Sequence, residues 1–134
     1  NRFPNLIIED TGLFSEDYNK ALSAFDISLC FLRKINYDLQ TTRTMEIPAC
    51  GSMLMAERTT EHEQLFKDKE EAVFFSSDEE LLELCQYYIT HDDERKLIAL
   101  AGRKRCLNSG YSNERTIKCI IDKIFAEYGI TGKN

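Results

Sequence analysis

The sequence predicts an α/β fold built on a small parallel sheet, with helices on both faces and a helical tail. Three observations carry this. Short runs that are apolar at consecutive positions recur: Ile27-Ser28-Leu29-Cys30-Phe31-Leu32, Met53-Leu54-Met55-Ala56 and Ala72-Val73-Phe74-Phe75. Such runs suit strands covered on both faces, whereas a strand with one wet face alternates apolar with polar. The stretches between them carry helix-start residues and 3.6-residue apolar spacing. Strand and helix alternating in this way imply right-handed crossovers and parallel pairing.

In chain order, Asn5–Glu9 is a first strand, bounded by Pro4 and by Asp10-Thr11-Gly12. Ser15 is placed to cap a helix over 16–24, with Glu16 and Asp17 where the helix dipole favours negative charge. Tyr18, Ala21, Leu22 and Phe25 share its apolar spacing. Asp26 ends it, and Ile27–Leu32 is the second strand. A polar loop over 33–40 leads to a helix that opens with Thr41 or Thr42 as cap and stops at Cys50-Gly51. The third strand is Met53–Ala56. Thr60 is placed to cap a short helix over 61–66, with Glu63 at the capping-box position. After the fourth strand, Ala72–Phe75, a helix begins at Ser77 behind Asp78, Glu79 and Glu80. Its apolar stripe is Leu81, Leu82, Leu84, Cys85, Tyr88 and Ile89. Two more helices follow, 94–109 closed by Gly110 and 112–128 closed by Gly129. The last is expected to turn Ile117, Ile120, Ile121, Ile124 and Phe125 inward.

The chain has 134 residues, 43% hydrophobic and 30% charged, with a formal net charge of −6. That is enough for one domain with one core. The negative balance argues against general binding to nucleic acid or an anionic membrane, which needs a basic field. It leaves room for one local phosphate pocket. No apolar run reaches the roughly 20 residues of a membrane span, and the start does not read as a signal peptide. The five cysteines form no C-x-x-C pair. They read as reduced thiols of a cytoplasmic protein, and His62 and His91 lie too far from any paired cysteines to suggest zinc.

The chemistry concentrates where the loop over 33–40 meets the helix that follows. In open parallel sheets, ligands bind at the carboxyl ends of the strands, against helix amino ends. Amides of Thr41, Thr42 and Arg43 are placed to hold a pyrophosphate, and Arg43 can grip phosphate through two N–H groups. Glu46 stands one turn further in, among Met45, Ile47, Pro48 and Ala49. A carboxylate there suits the two hydroxyls of a ribose. The plainer reading is a threonine cap, a surface arginine and an exposed glutamate. Other groups weigh less: Glu57-Arg58-Thr59 reads first as a solvated loop. His62 between Glu61 and Glu63 reads as a surface helix histidine before it reads as an acid or base. Asp92, Asp93, Glu94 and Arg95 read as a helix start, and Tyr87 and Tyr88 as core or interface.

The stretch Thr42-Arg43-Thr44-Met45-Glu46-Ile47-Pro48-Ala49-Cys50-Gly51 resembles the donor-binding segment of GT-B glycosyltransferases, and more closely the CgeB-like (spore-coat-protein-like) glycosyltransferase family. Glu57-Arg58-Thr59, Leu65-Phe66, Glu70-Glu71-Ala72-Val73-Phe74-Phe75 and Asp78-Glu79-Glu80-Leu81 support it. The resemblance implies a Rossmann-like domain, most of the C-terminal half of a GT-B enzyme, that binds a nucleotide-diphosphate sugar. It places Glu46 on the ribose hydroxyls and Thr41, Thr42 and Arg43 near the diphosphate. Asp38 stands at the position, eight residues upstream, where related retaining enzymes carry an acid that touches the donor sugar. It also implies no metal, since helix dipoles and basic groups meet the leaving diphosphate, and a separate acceptor-binding N-terminal domain as partner. Two other readings compete. One is a non-catalytic interaction domain of receiver type, with Asp10 as phospho-acceptor. The other is a ligand-free fragment that forms a homodimer through an exposed sheet edge.

Overall fold

The computed structural model describes residues 12–129. They form α1 (Ser15–Ala24), β1 (Ile27–Cys30), a 3-10 turn (Lys34–Asn36), α2 (Arg43–Cys50), β2 (Met53–Glu57), α3 (Thr60–Leu65), β3 (Val73–Phe75), α4 (Asp78–Thr90), α5 (Asp92–Ser109) and α6 (Asn113–Tyr128). The strands make one parallel sheet in the order β1-β2-β3. Ile27 pairs with Met53 and Cys30 with Ala56; on the other side Met55 pairs with Val73 and Glu57 with Phe75. This is a mixed α/β fold with a small parallel sheet, as expected of a Rossmann-like, GT-B C-terminal type of domain. The strand expected over Asn5–Glu9, and Asp10 with it, lies outside the described residues.

β2 is the middle strand, and its four apolar residues Met53, Leu54, Met55 and Ala56 are wholly buried. Alternation across the pleat divides them. Leu54 and Ala56 face a cluster with Leu22, Cys30, Ile47, Phe66, Phe74 and Cys106. Met53 and Met55 face another with Val73, Phe75, Tyr88 and Ile98. Side chains of α1, α2 and α5 thus cover one face and those of α4 and α5 the other. Each fully buried aliphatic side chain contributes about 1.5–3 kcal/mol.

α2 sets the position of everything functional. It carries Pro48 in its interior, where a missing N–H costs a helix bond. The helix ends two residues later, at Cys50, and Gly51, with φ 92°, donates its N–H to the Pro48 carbonyl. Gly102 of α5 closes against this end. A Cβ on Gly102 would lie 2.3 Å from the Glu71 carbonyl oxygen and 3.3 Å from Pro48 Cβ.

Several local expectations change. Ser15 is the first residue of α1, not a side-chain cap, and Phe14 holds the cap position with no side-chain bond. Thr59, not Thr60, caps α3: its hydroxyl accepts from the His62 amide at 3.0 Å. That shifts the count by one, so Glu63 leaves the capping-box position and binds Arg58 instead, at 2.7 Å. On α4, Tyr88 is buried but Leu82 and Ile89 are exposed. The largest departure is α6. Ile117, Ile120, Ile121, Ile124 and Phe125 do share one stripe, yet all are between 42% and 56% exposed. Helical spacing shows that a face is apolar; it does not supply the surface that covers it.

Candidate functional site

The carboxyl edge of the sheet is joined by side chains to the start of α2. Cys30 Sγ, at the end of β1, lies 3.6 Å from Thr41 Oγ1. Thr59, just past β2, donates its hydroxyl to the Leu39 carbonyl at 2.7 Å while capping α3. The loop entering α2 is therefore held from two strands.

On that footing the amino end of α2 opens onto a cleft of about 430 Å³. It is lined by Leu13, Phe14, Ser15, Tyr18, Thr41, Thr42, Arg43 and Glu46. Four of the five residues singled out in the sequence meet here. The fifth, Asp38, is half-buried on the preceding loop and is not among the lining residues. A second cleft of about 660 Å³ adjoins on the α6 side and shares Thr41, Thr42 and Glu46. Glu46 thus stands on the ridge between the two.

Glu46 and Arg43 are exposed and lie three residues apart, so they share one helix face. Tyr18 of α1 donates its hydroxyl to Glu46 Oε2 at 2.9 Å. Burial raises the Tyr18 phenol above its ordinary pKa, the Glu46 carboxylate adds to the rise, and Arg43 acts in the opposite direction. The hydroxyl therefore stays protonated and fixes the carboxylate's aim. In the sequence, Tyr18 shows only the apolar spacing of its helix. Its spacing gives no sign of a partner 28 residues away.

The backbone donors are fewer than expected. Neither Thr41 nor Thr42 caps α2 with its hydroxyl; Thr42 sits at the cap position with helical dihedrals and no side-chain bond. The Thr41 amide donates to Thr44 Oγ1 at 3.2 Å, so it is taken. The amides of Thr42 and Arg43 have no acceptor among the described residues. These two, with the Arg43 guanidinium, are the donors that an anion would meet.

A comparison along the same sheet edge favours this end. The amino end of α4 faces a smaller cleft of about 180 Å³, with Lys34, Arg58 and Ser77. There the Glu80 carboxylate already takes the Ser76 amide at 2.7 Å, and the Ser77 hydroxyl takes the Glu80 amide. Asp78, Glu79 and Glu80 crowd its first turn, which repels phosphate. Arg58 is committed to Asp68 at 2.6 Å, Glu63 and the Phe74 carbonyl, and these partners raise its pKa further. It is a clamp between loops, not a solvated loop residue. Arg95 is likewise buried, held by Asp26, Asp92 and the Tyr88 carbonyl.

His62 differs most from expectation. It is completely buried and stacks on Phe74 with ring centroids 5.7 Å apart. Its ring packs inward between α2 and the sheet, with Nε2 near the Thr44 hydroxyl and Nδ1 near the Glu57 carbonyl, and not on the surface of α3.

Among the described residues no group of three or more His, Cys, Asp or Glu is arranged to hold a metal, and no helix is long and apolar enough to cross a membrane. All five cysteines are free thiols. A serine, Ser76, follows β3 where a receiver domain wants a lysine.

A parallel sheet with a helix amino end at its carboxyl edge and a carboxylate beside it is the arrangement of a Rossmann-like α/β domain. Residues 5–122 match the profile of a glycosyl transferase-like family, and the chain belongs to that family. No curated protein and no solved structure matches it.

Proposed function

We propose that the cleft at the amino end of α2 binds the nucleotide-diphosphate sugar donor of a CgeB-like glycosyltransferase. Glu46 accepts the ribose hydroxyls. The Thr42 and Arg43 amides and the Arg43 guanidinium hold the diphosphate, and Thr41 forms the floor between the two clefts. Asp38 approaches the sugar only if the loop before α2 shifts. One observation carries the reading: an exposed carboxylate and an exposed guanidinium, one turn apart, line a single cleft with two helix amides that have no acceptor among the described residues, in a chain of the glycosyl transferase-like family. Further parts of the reading are an acceptor-binding domain as partner, diphosphate charge met by helix and arginine without a metal, and a reducing, cytoplasmic setting that suits free thiols.

Calorimetric titration of uridine and guanosine diphosphates into the protein and into Glu46→Gln tests it. The expected result is saturable binding by the native protein that falls at least tenfold in the variant, since one charge-assisted hydrogen bond to a ligand contributes roughly 1.5–3 kcal/mol. Equal binding by both proteins removes Glu46 from the ribose. No binding by the native protein overturns the donor reading.

A further inference from the structure

We infer that His62 is a positioning residue for this site: as a neutral imidazole it orients the Thr44 hydroxyl, which holds the Thr41 amide and so fixes which amides α2 presents to an anion. The inference rests on the donor reading of the cleft.

The tautomer follows from the partners. His62 Nδ1 lies 2.6 Å from the Glu57 carbonyl oxygen. A carbonyl can only accept, so Nδ1 carries the proton. His62 Nε2 lies 3.0 Å from Thr44 Oγ1. In the neutral ring Nε2 is an acceptor and takes the Thr44 hydroxyl proton. The lone pairs of Thr44 Oγ1 are then free for the Thr41 N–H, 3.2 Å away. Every donor in the series has one acceptor: Thr41 amide to Thr44, Thr44 to His62, His62 to the end of β2.

The doubly protonated ring breaks this order. Nε2–H would then donate to Thr44 Oγ1, and the hydroxyl proton would be left without a partner at a residue that is wholly buried.

The consequence reaches the cleft. Thr41 lines both clefts, and Thr44 lies in the first turn of α2. With its amide tied to Thr44, Thr41 turns the chain so that Thr42 enters with helical dihedrals. The amides left without an acceptor among the described residues are those of Thr42 and Arg43. Without the tie, the described residues still hold this segment through the Thr44 amide on the Thr41 carbonyl, Thr59 on Leu39 and the weak contact of Cys30 with the Thr41 hydroxyl, but the Thr41 amide loses its acceptor. The donors would then be spread over a wider range of positions when the ligand arrives, and binding would have to order them first.

The test compares native protein, Thr44→Val, which keeps the shape and removes the hydroxyl, and Thr44→Ser, which restores it. Three quantities are read: the His62 ring nitrogen shifts by NMR, the exchange protection of the Thr41 amide, and calorimetric affinity for uridine diphosphate. The native ring is expected to carry its proton on Nδ1 alone. Thr44→Val is expected to lose Thr41 protection and about five- to tenfold in affinity, as for one neutral hydrogen bond. Thr44→Ser is expected to recover both. An Nε2–H ring, or Thr41 protection unchanged in Thr44→Val, overturns the relay. Protection lost with affinity unchanged overturns the positioning role while leaving the donor site in place. Native protein that binds no nucleoside diphosphate overturns the donor reading itself, and the role of His62 in it.

Discussion

The two ends of α2 face opposite demands. Its carboxyl end is closed: Ile47 and Pro48 are buried, Gly51 turns the chain in a left-handed conformation, and Gly102 of α5 leaves no room for a Cβ. Its amino end is open: Thr42, Arg43 and Glu46 are exposed, and two amides have no acceptor among the described residues. One helix of eight residues thus serves as a packed wedge at one end and a set of donors at the other. The open end is held separately, by the Thr41 amide on the Thr44 hydroxyl and by Thr59 on the Leu39 carbonyl. Stability and ligand binding should therefore separate along a distance of about 12 Å, at 1.5 Å per residue.

Substitutions at the closed end should cost stability and spare the ligand. Ile47→Ala removes a side chain at 1% exposure and is expected to lose about 2–5 kcal/mol, read by urea unfolding. Gly102→Ala drives a Cβ into the Glu71 carbonyl and is expected to lose about 1–3 kcal/mol. A Gly102→Ala protein as stable as the native one would mean that α5 is free to back away, and the wedge account would fail. Thr59→Ala removes the α3 cap and the bond to Leu39 together, for about 1 kcal/mol, and it is the one change in this set that should also weaken the ligand site. At the open end, Arg43→Ala is expected to change stability by less than about 0.5 kcal/mol while weakening nucleoside diphosphate binding several-fold, measured by calorimetry.

A smaller, pH-dependent contrast sharpens the same point. Tyr88 is buried against the sheet, and burial, with Glu94 adding to it, pushes its phenol up to about 12. Tyr18, beside the cleft, is raised by burial and by Glu46. A phenol with a raised pKa binds its proton more tightly in the folded state. Its stabilisation is complete below the ordinary value near 10 and is lost as pH rises through the folded value. Unfolding free energy should therefore fall between about pH 10 and 12. Tyr88→Phe should flatten that fall more than Tyr18→Phe does.

Much of the fold was legible because its signals are local. Met53–Ala56 is apolar at both parities, and only a strand covered on both faces wants that. The helix starts at Ser77 and Ser112 are read from one hydroxyl and the acids that follow, and both serines do cap. α2 was legible too, through the hydroxyl residues that precede it and the small residues, Cys50 and Gly51, that end it. What stayed hidden depends on contacts across the chain. Tyr18 meets Glu46 over 28 residues, and Thr44 meets His62 over 18; no spacing rule encodes either pair. His62 was misplaced because the groups that bury it, Phe74, the Glu57 carbonyl and Thr44, belong to other elements and leave no mark on the spacing around it. The stripe of α6 failed differently: its amphipathic pattern was read correctly, but a pattern cannot name its partner.

The claim that the open end of α2 is the ligand site is tested most directly by mapping backbone amide shifts while uridine diphosphate is added to the full chain. The largest shifts are expected on Tyr18, Thr42, Arg43 and Glu46, with Cys50 and Gly102 at the closed end unmoved. Shifts gathered instead at Ser76, Ser77 and Glu79, beside the smaller cleft at the start of α4, with α2 silent, would contradict it.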